Sequence, residues 1–124
     1  MKLAPLEECT MRKMIVAGGQ LGPITRDESK KSAVARMVAL MKEAARRGAQ
    51  LIVFPELALT TFFPRWWVSN KADFDHMFEK DMPNKDVSPL FETSKKLNIA
   101  FHLGYAELMP DGHHYNTAII VNNL

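Results

Sequence analysis

The sequence holds one cysteine, Cys9, among its 124 residues, so no internal disulfide can form. That fits a reducing, cytoplasmic setting. Cys9 sits in a polar leader ahead of the first periodic segment, where a thiol is exposed and mobile rather than catalytic. An excess of one charge sign is also missing: 16 basic residues face 14 acidic ones, for a net charge of +2. The basic pairs Lys30-Lys31, Arg46-Arg47 and Lys95-Lys96 read as solvated helix faces, and no nucleic-acid patch is expected. No apolar run approaches the roughly 20 residues of a membrane span, so no membrane association is expected. The opening residues lack a signal-peptide core, which argues against export. Internal repeats and low-complexity tracts are absent. What remains is ordinary globular composition, 47% hydrophobic and 24% charged.

Residues 1–13 read as a flexible leader and 14–124 as the domain. Met14 to Leu21 (MIVAGGQL) is a short apolar run ended by Gly22-Pro23, hence a strand. Thr25 and Glu28 have capping-box spacing. Beyond them Val34, Met37, Val38, Met41, Ala44 and Ala45 recur at helical spacing, up to Gly48 in the position that stops a helix. Leu51 to Phe54 is apolar at every position, which predicts a strand covered on both faces. Strand, helix and strand with short joins form a βαβ unit, so the fold class is α/β. Residues 57–85 read as irregular and aromatic-rich. Ser88-Pro89 can open a helix through Leu97, with Asn98 as its stop. Strands are expected over Ile99–Leu108 and Tyr115–Val121, joined by the turn Pro110-Asp111-Gly112. No capping helix follows the last strand, an odd place for a self-sufficient domain to finish.

Glu56 is the residue most suited to chemistry. Val53-Phe54-Pro55-Glu56 sets a carboxylate beyond the carboxyl end of a strand, where open α/β sheets gather ligands. Partial burial there would suit a general base. A solvated loop glutamate has the same spacing, and spacing alone leaves both readings standing. Phe63, Pro64, Arg65, Trp66 and Trp67 line a substrate mouth or pack as an aromatic loop against the sheet. His113-His114 reads as an exposed turn, because metal-binding pairs on a strand lie two apart. His102 reads as a hydrogen-bonded strand residue, and Asn116 as a residue bridging groups near the rim. No metal site is expected.

Leu51 to Trp66 (LIVFPELALTTFFPRW) resembles the nitrilase superfamily, in which a strand ends in Phe-Pro-Glu. Within it the segment is most similar to the N-carbamoyl-D-amino acid amidohydrolases. Gly19 to Ile24, Leu103 to Leu108 and Tyr115 to Ala118 resemble further family segments, and the likeness runs from about Met11 to Asn122. It implies the amino-terminal half of an α-β-β-α sandwich. It also implies that Glu56 is the general base of a Glu–Lys–Cys triad. Phe63, Pro64, Arg65, Trp66 and Asn116 are candidate substrate contacts on the reading of the residues themselves, beside their structural readings. The implied substrate is a small N-carbamoyl amino acid or related amide, cleaved without metal or organic cofactor.

The likeness is partial. The family's lysine follows the strand that Tyr115–Val121 resembles, and its cysteine lies further on. Neither position falls within these residues, and neither Cys9 nor any lysine present matches them. The expectation is therefore a truncated hydrolase domain, inactive alone and prone to self-association. The alternative is a non-catalytic remnant that serves as a binding or assembly module.

Overall fold

A computed structural model describes residues 11–122. Cys9 and most of the expected leader lie outside them. Strand β1 (Val16–Gly18) is followed by helix α1 (Lys30–Arg46) and strand β2 (Leu51–Val53). Two short 3-10 helices, Phe63–Arg65 and Lys71–Met77, interrupt the segment read as irregular. Helix α2 (Ser88–Leu97) and strands β3 (Ala100–Leu108) and β4 (His114–Val121) complete the order. The four strands stand in the sheet as β1-β2-β3-β4, the first three parallel and the last antiparallel. The fold is α/β, as the βαβ pattern predicts.

Two successive parallel crossovers of the same hand put both helices on one face of the sheet. There α1 contributes Val34, Met37 and Met41, α2 contributes Leu90, and the sheet contributes Ile52, Phe54, Phe101 and Leu103 to one core. The Phe91 ring meets Phe101 edge-on at 5.2 Å.

The opposite face corrects the expectation of a doubly covered strand. Strand pairing sets Val16, Val53, His102 and Ile120 on that face. Val16, Val53 and Ile120 are 52%, 37% and 70% exposed. The apolar run of β2 is thus covered by helices on one side and bare on the other among the described residues.

Local signals hold unevenly. Gly48 has φ 84° and Asn98 has φ 52°, so both take the left-handed conformation that ends a helix. The capping box does not start α1. Thr25 accepts from Glu28 in a preceding turn, and Ser29 caps the helix, its Oγ accepting from the Ser32 amide at 3.2 Å. At α2 the cap position is Val87, while Ser88 Oγ donates to the Asn84 carbonyl. Arg46 and Arg47 do more than face solvent. Both donate to Glu43, and chiefly the Arg46 bond holds that carboxyl down at about 2. None of the described helices is long and apolar enough to cross a membrane.

Lys30 also departs from the solvated-face reading. Its ammonium pairs with Glu79, which is 3% exposed and also accepts from Asn84 Nδ2 at 2.6 Å. The pair ties the first turn of α1 to the segment that closes beside β3. Removing Lys30 leaves the buried Glu79 carboxylate with the Asn84 amide but no cation, a loss of about 3 kcal/mol or more. Lys30→Ala is therefore expected to lower unfolding free energy by about 3 kcal/mol, whereas the exposed neighbour Lys31→Ala changes it by under about 0.5 kcal/mol. Urea unfolding followed by circular dichroism reads both, and equal effects would show that the pair contributes nothing.

Candidate active site

Three amides, two from the stretch that follows β2 and one from Glu79, close the free edge of β3 beyond the end of β2. Phe54 N–H donates to the His102 carbonyl at 3.2 Å, Ala58 N–H to Gly104 at 3.0 Å, and Glu79 N–H to Ala106 at 2.8 Å. Leu108 N–H returns to the Glu79 carbonyl at 2.9 Å. Glu56 lies between the first two of these anchors, so its backbone is pinned on both sides. The next residue, Leu57, has φ 49°. A left-handed conformation costs a branched residue about 1–2 kcal/mol, and burial of the Leu57 side chain opposes that cost.

Gly104 explains how the turn comes so near the sheet. A Cβ there would stand 3.3 Å from Glu56 Cα and 3.4 Å from Leu57 N. A methyl group at this position would press the Glu56 backbone a few tenths of an ångström away from β3.

Glu56 is exposed rather than partly buried, which corrects that expectation. Its partner comes from the neighbouring strand: Asn116 Nδ2 donates to Glu56 Oε1 at 2.5 Å. Register pairs Asn116 with Ala106 and Ala118 with Gly104, so Asn116 projects from the helix-free face. The bond occupies one carboxylate oxygen and orients the group. An amide accepts no proton from a carboxyl, so the bond aims the group without consuming its capacity as a base.

The aromatic segment lies farther along the same rim. Phe63 stacks on Phe74 at 5.5 Å and meets Phe78 at 5.3 Å, while Trp66 stacks on Phe74 at 6.4 Å. Phe63, Pro64 and Trp66 line a cleft of about 250 Å³. Arg65 does not line it; its guanidinium lies 5.1 Å over the Trp66 ring, as does that of Arg26. Trp67 is 90% exposed.

His114 is not a turn residue. It opens β4, its Nε2 lies 2.7 Å from Asp75 Oδ1, and Phe78 meets its ring edge-on at 4.6 Å. His113 stays exposed beside Asp111. Reading His114 and Asn116 as i and i+2 on one strand would have placed both on the Glu56 face. Phe74, Phe78 and Gly104 carried no such signal, because their roles depend on long-range contacts. Among the described residues, no group of three or more His, Cys, Asp or Glu is arranged to hold a metal ion.

Comparison with known proteins sets this geometry in context. The profile of the carbon-nitrogen hydrolase family matches residues 15–123. A nitrilase of Meyerozyma guilliermondii is 36% identical over 96 aligned positions, a match that covers 73% of this chain and 29% of that protein. A carbon-nitrogen hydrolase from Helicobacter pylori G27 superposes with TM-score 0.67 at 16% identity, over 89% of this chain and 36% of the other. An N-terminal amidase bound to a Gln-Gly peptide gives TM-score 0.61 at 25% identity, over 87% of this chain and 25% of the other. The chain therefore spans roughly a third or less of the length of these relatives.

Gly104→Ala tests the close approach. It is expected to cost about 1–3 kcal/mol of stability and to shift the Glu56 and Leu57 amide resonances. Gly18→Ala, on the same face with nothing within 4 Å, should leave those resonances in place. Unshifted resonances in Gly104→Ala would show that the contact constrains nothing.

Proposed function

The chain belongs to the carbon-nitrogen hydrolase family, and from that premise we propose that it supplies the general base, Glu56, of a Glu–Lys–Cys hydrolase acting on N-carbamoyl-D-amino acids. The observation that carries the reading is the oriented carboxylate: Glu56 sits at the carboxyl end of β2 with one oxygen bonded to Asn116 and its backbone pinned to β3. The segment Glu56 to Trp66 (ELALTTFFPRW) supports the carbamoyl substrate class.

The chemistry assigns each part a task. A free cysteine thiol titrates near ~8.5, so its attack at neutral pH needs a base. Glu56 takes the thiol proton, the thiolate sulfur bonds to the carbamoyl carbon, and the carboxyl then delivers a proton to the departing nitrogen. A lysine ammonium stabilises the tetrahedral oxyanion. Glu56 next deprotonates the water that releases the acyl group. The carbamic acid so released loses carbon dioxide and frees the second nitrogen, so the products are amino acid, carbon dioxide and ammonia. The lysine and cysteine come from residues outside these 124, and the setting that keeps such a thiol reduced is the cytoplasm.

The bare sheet face favours a second reading, an assembly module without catalysis of its own. Val16, Val53 and Ile120 leave apolar surface uncovered, and such surfaces mark interfaces or drive self-association. Light scattering after size exclusion separates the cases: association with a lysine- and cysteine-bearing carboxyl-terminal half of a related carbamoylase that yields no turnover favours assembly alone.

The 124 residues alone are expected to release no ammonia from N-carbamoyl-D-phenylalanine, with Cys9→Ala as control. Turnover that vanishes in the control would promote Cys9 to nucleophile. Glu56→Gln is expected to change stability by no more than about 1 kcal/mol, since the amide matches the carboxyl in size. In complex with the lysine- and cysteine-bearing half, the same variant should lose turnover at least about a hundredfold. Retained turnover there would make Glu56 an ordinary rim residue.

A further inference from the structure

We infer that the aromatic cleft beside Glu56 is the subsite for an aryl or similarly sized apolar side chain of the substrate; the inference rests on the reading of Glu56 as the carboxylate at the reacting end. Four rings, Phe63, Trp66, Phe74 and Phe78, form a continuous wall through contacts of 5.3 to 6.4 Å. Pro64, Val68, Lys71 and His114 complete the lining. The cleft measures about 250 Å³. A dry apolar cavity of about 150 Å³ suffices to hold benzene, so one substituted phenyl group fits.

The wall is held in place before any ligand arrives. Guanidinium groups of Arg26 and Arg65 each lie 5.1 Å from the Trp66 ring centre, an arrangement that fixes the indole by cation–π attraction. On the other side Asp75 fixes the His114 imidazole, whose ring lies against the edge of Phe78. Side chains locked this way lose little freedom when a ligand enters.

The location ties the cleft to the reacting end. His114 lines it, Asn116 binds the Glu56 carboxylate, and the two project from the same face of β4 about 7 Å apart along the strand. Neighbouring positions on one strand face thus hold the Glu56 carboxylate and line the cleft. Polar groups at the Glu56 end and rings at the far end give the site two chemically distinct halves, as small-molecule sites require.

The test uses the chain itself, labelled with nitrogen-15, and follows the Trp66 indole N–H resonance during titration. The ligands are N-carbamoyl-D-phenylalanine and N-carbamoylglycine, which share a head group and differ by the benzyl substituent. The expected result is at least about tenfold tighter binding of the phenylalanine compound, since even one methylene in an apolar pocket discriminates by that order. Val68→Phe, which fills the cleft, should abolish the difference. Should that variant not fold, Phe74→Leu removes one wall ring and carries the same expectation. Glu56→Gln should leave the preference intact, so loss of turnover in the assembled enzyme and loss of aryl binding report on separate parts of the account. Equal affinity for the two compounds, an unmoved resonance with both, or a preference that survives both cleft variants would overturn the subsite.

Discussion

The hydrogen-bonding edge of β3 is the constraint on which the site depends. A strand as short as β2 leaves most of its neighbour's edge unpaired, and unpaired carbonyls inside a fold carry a cost comparable to a lost hydrogen bond. Here the His102, Gly104 and Ala106 carbonyls are taken in turn by Phe54, Ala58 and Glu79. The loop that carries Glu56 is thereby an extension of the ladder rather than a free connection. The positive φ of Leu57 and the bare Cα of Gly104 follow from it, since the chain must fold tightly against the strand to reach two carbonyls on one edge.

The same edge reaches back into the helices. Glu79 closes the ladder with its backbone while its side chain pairs with Lys30 in the first turn of α1 and accepts from Asn84 before α2. A buried pair of this kind does not maximise stability, because desolvation offsets most of the attraction. One carboxylate nonetheless bonds to groups at both helix entrances, beside the rim on which Glu56 stands.

Much of this was legible in the residues. The βαβ periodicity, the helix stops at Gly48 and Asn98, and the rim position of Glu56 follow from local pattern, and each corresponds to what the fold contains. The cap of α1 was misplaced because Thr25 and Glu28 satisfy the capping-box spacing in a turn, leaving Ser29 to cap. Lys30 resembled any solvated lysine because its partner lies 49 positions away in a segment without periodicity. The aromatic residues announced a packed surface, but not which rings meet, since 3-10 segments present no regular face to read. His114 was separable from the turn only once the start of β4 was known, and strand boundaries are set by pairing with β3 rather than by the residues themselves.

The account holds that Glu56 is oriented by this fold before a substrate or a second chain segment is present. Its most direct measure is the Asn116 side-chain amide, whose nitrogen-15 and proton resonances can be followed through an acid titration of the chain. The account predicts that they move with protonation of the Glu56 carboxyl and that the movement disappears in Glu56→Gln. Asn116 resonances that ignore acid, or that titrate identically when Glu56 is replaced, would contradict it.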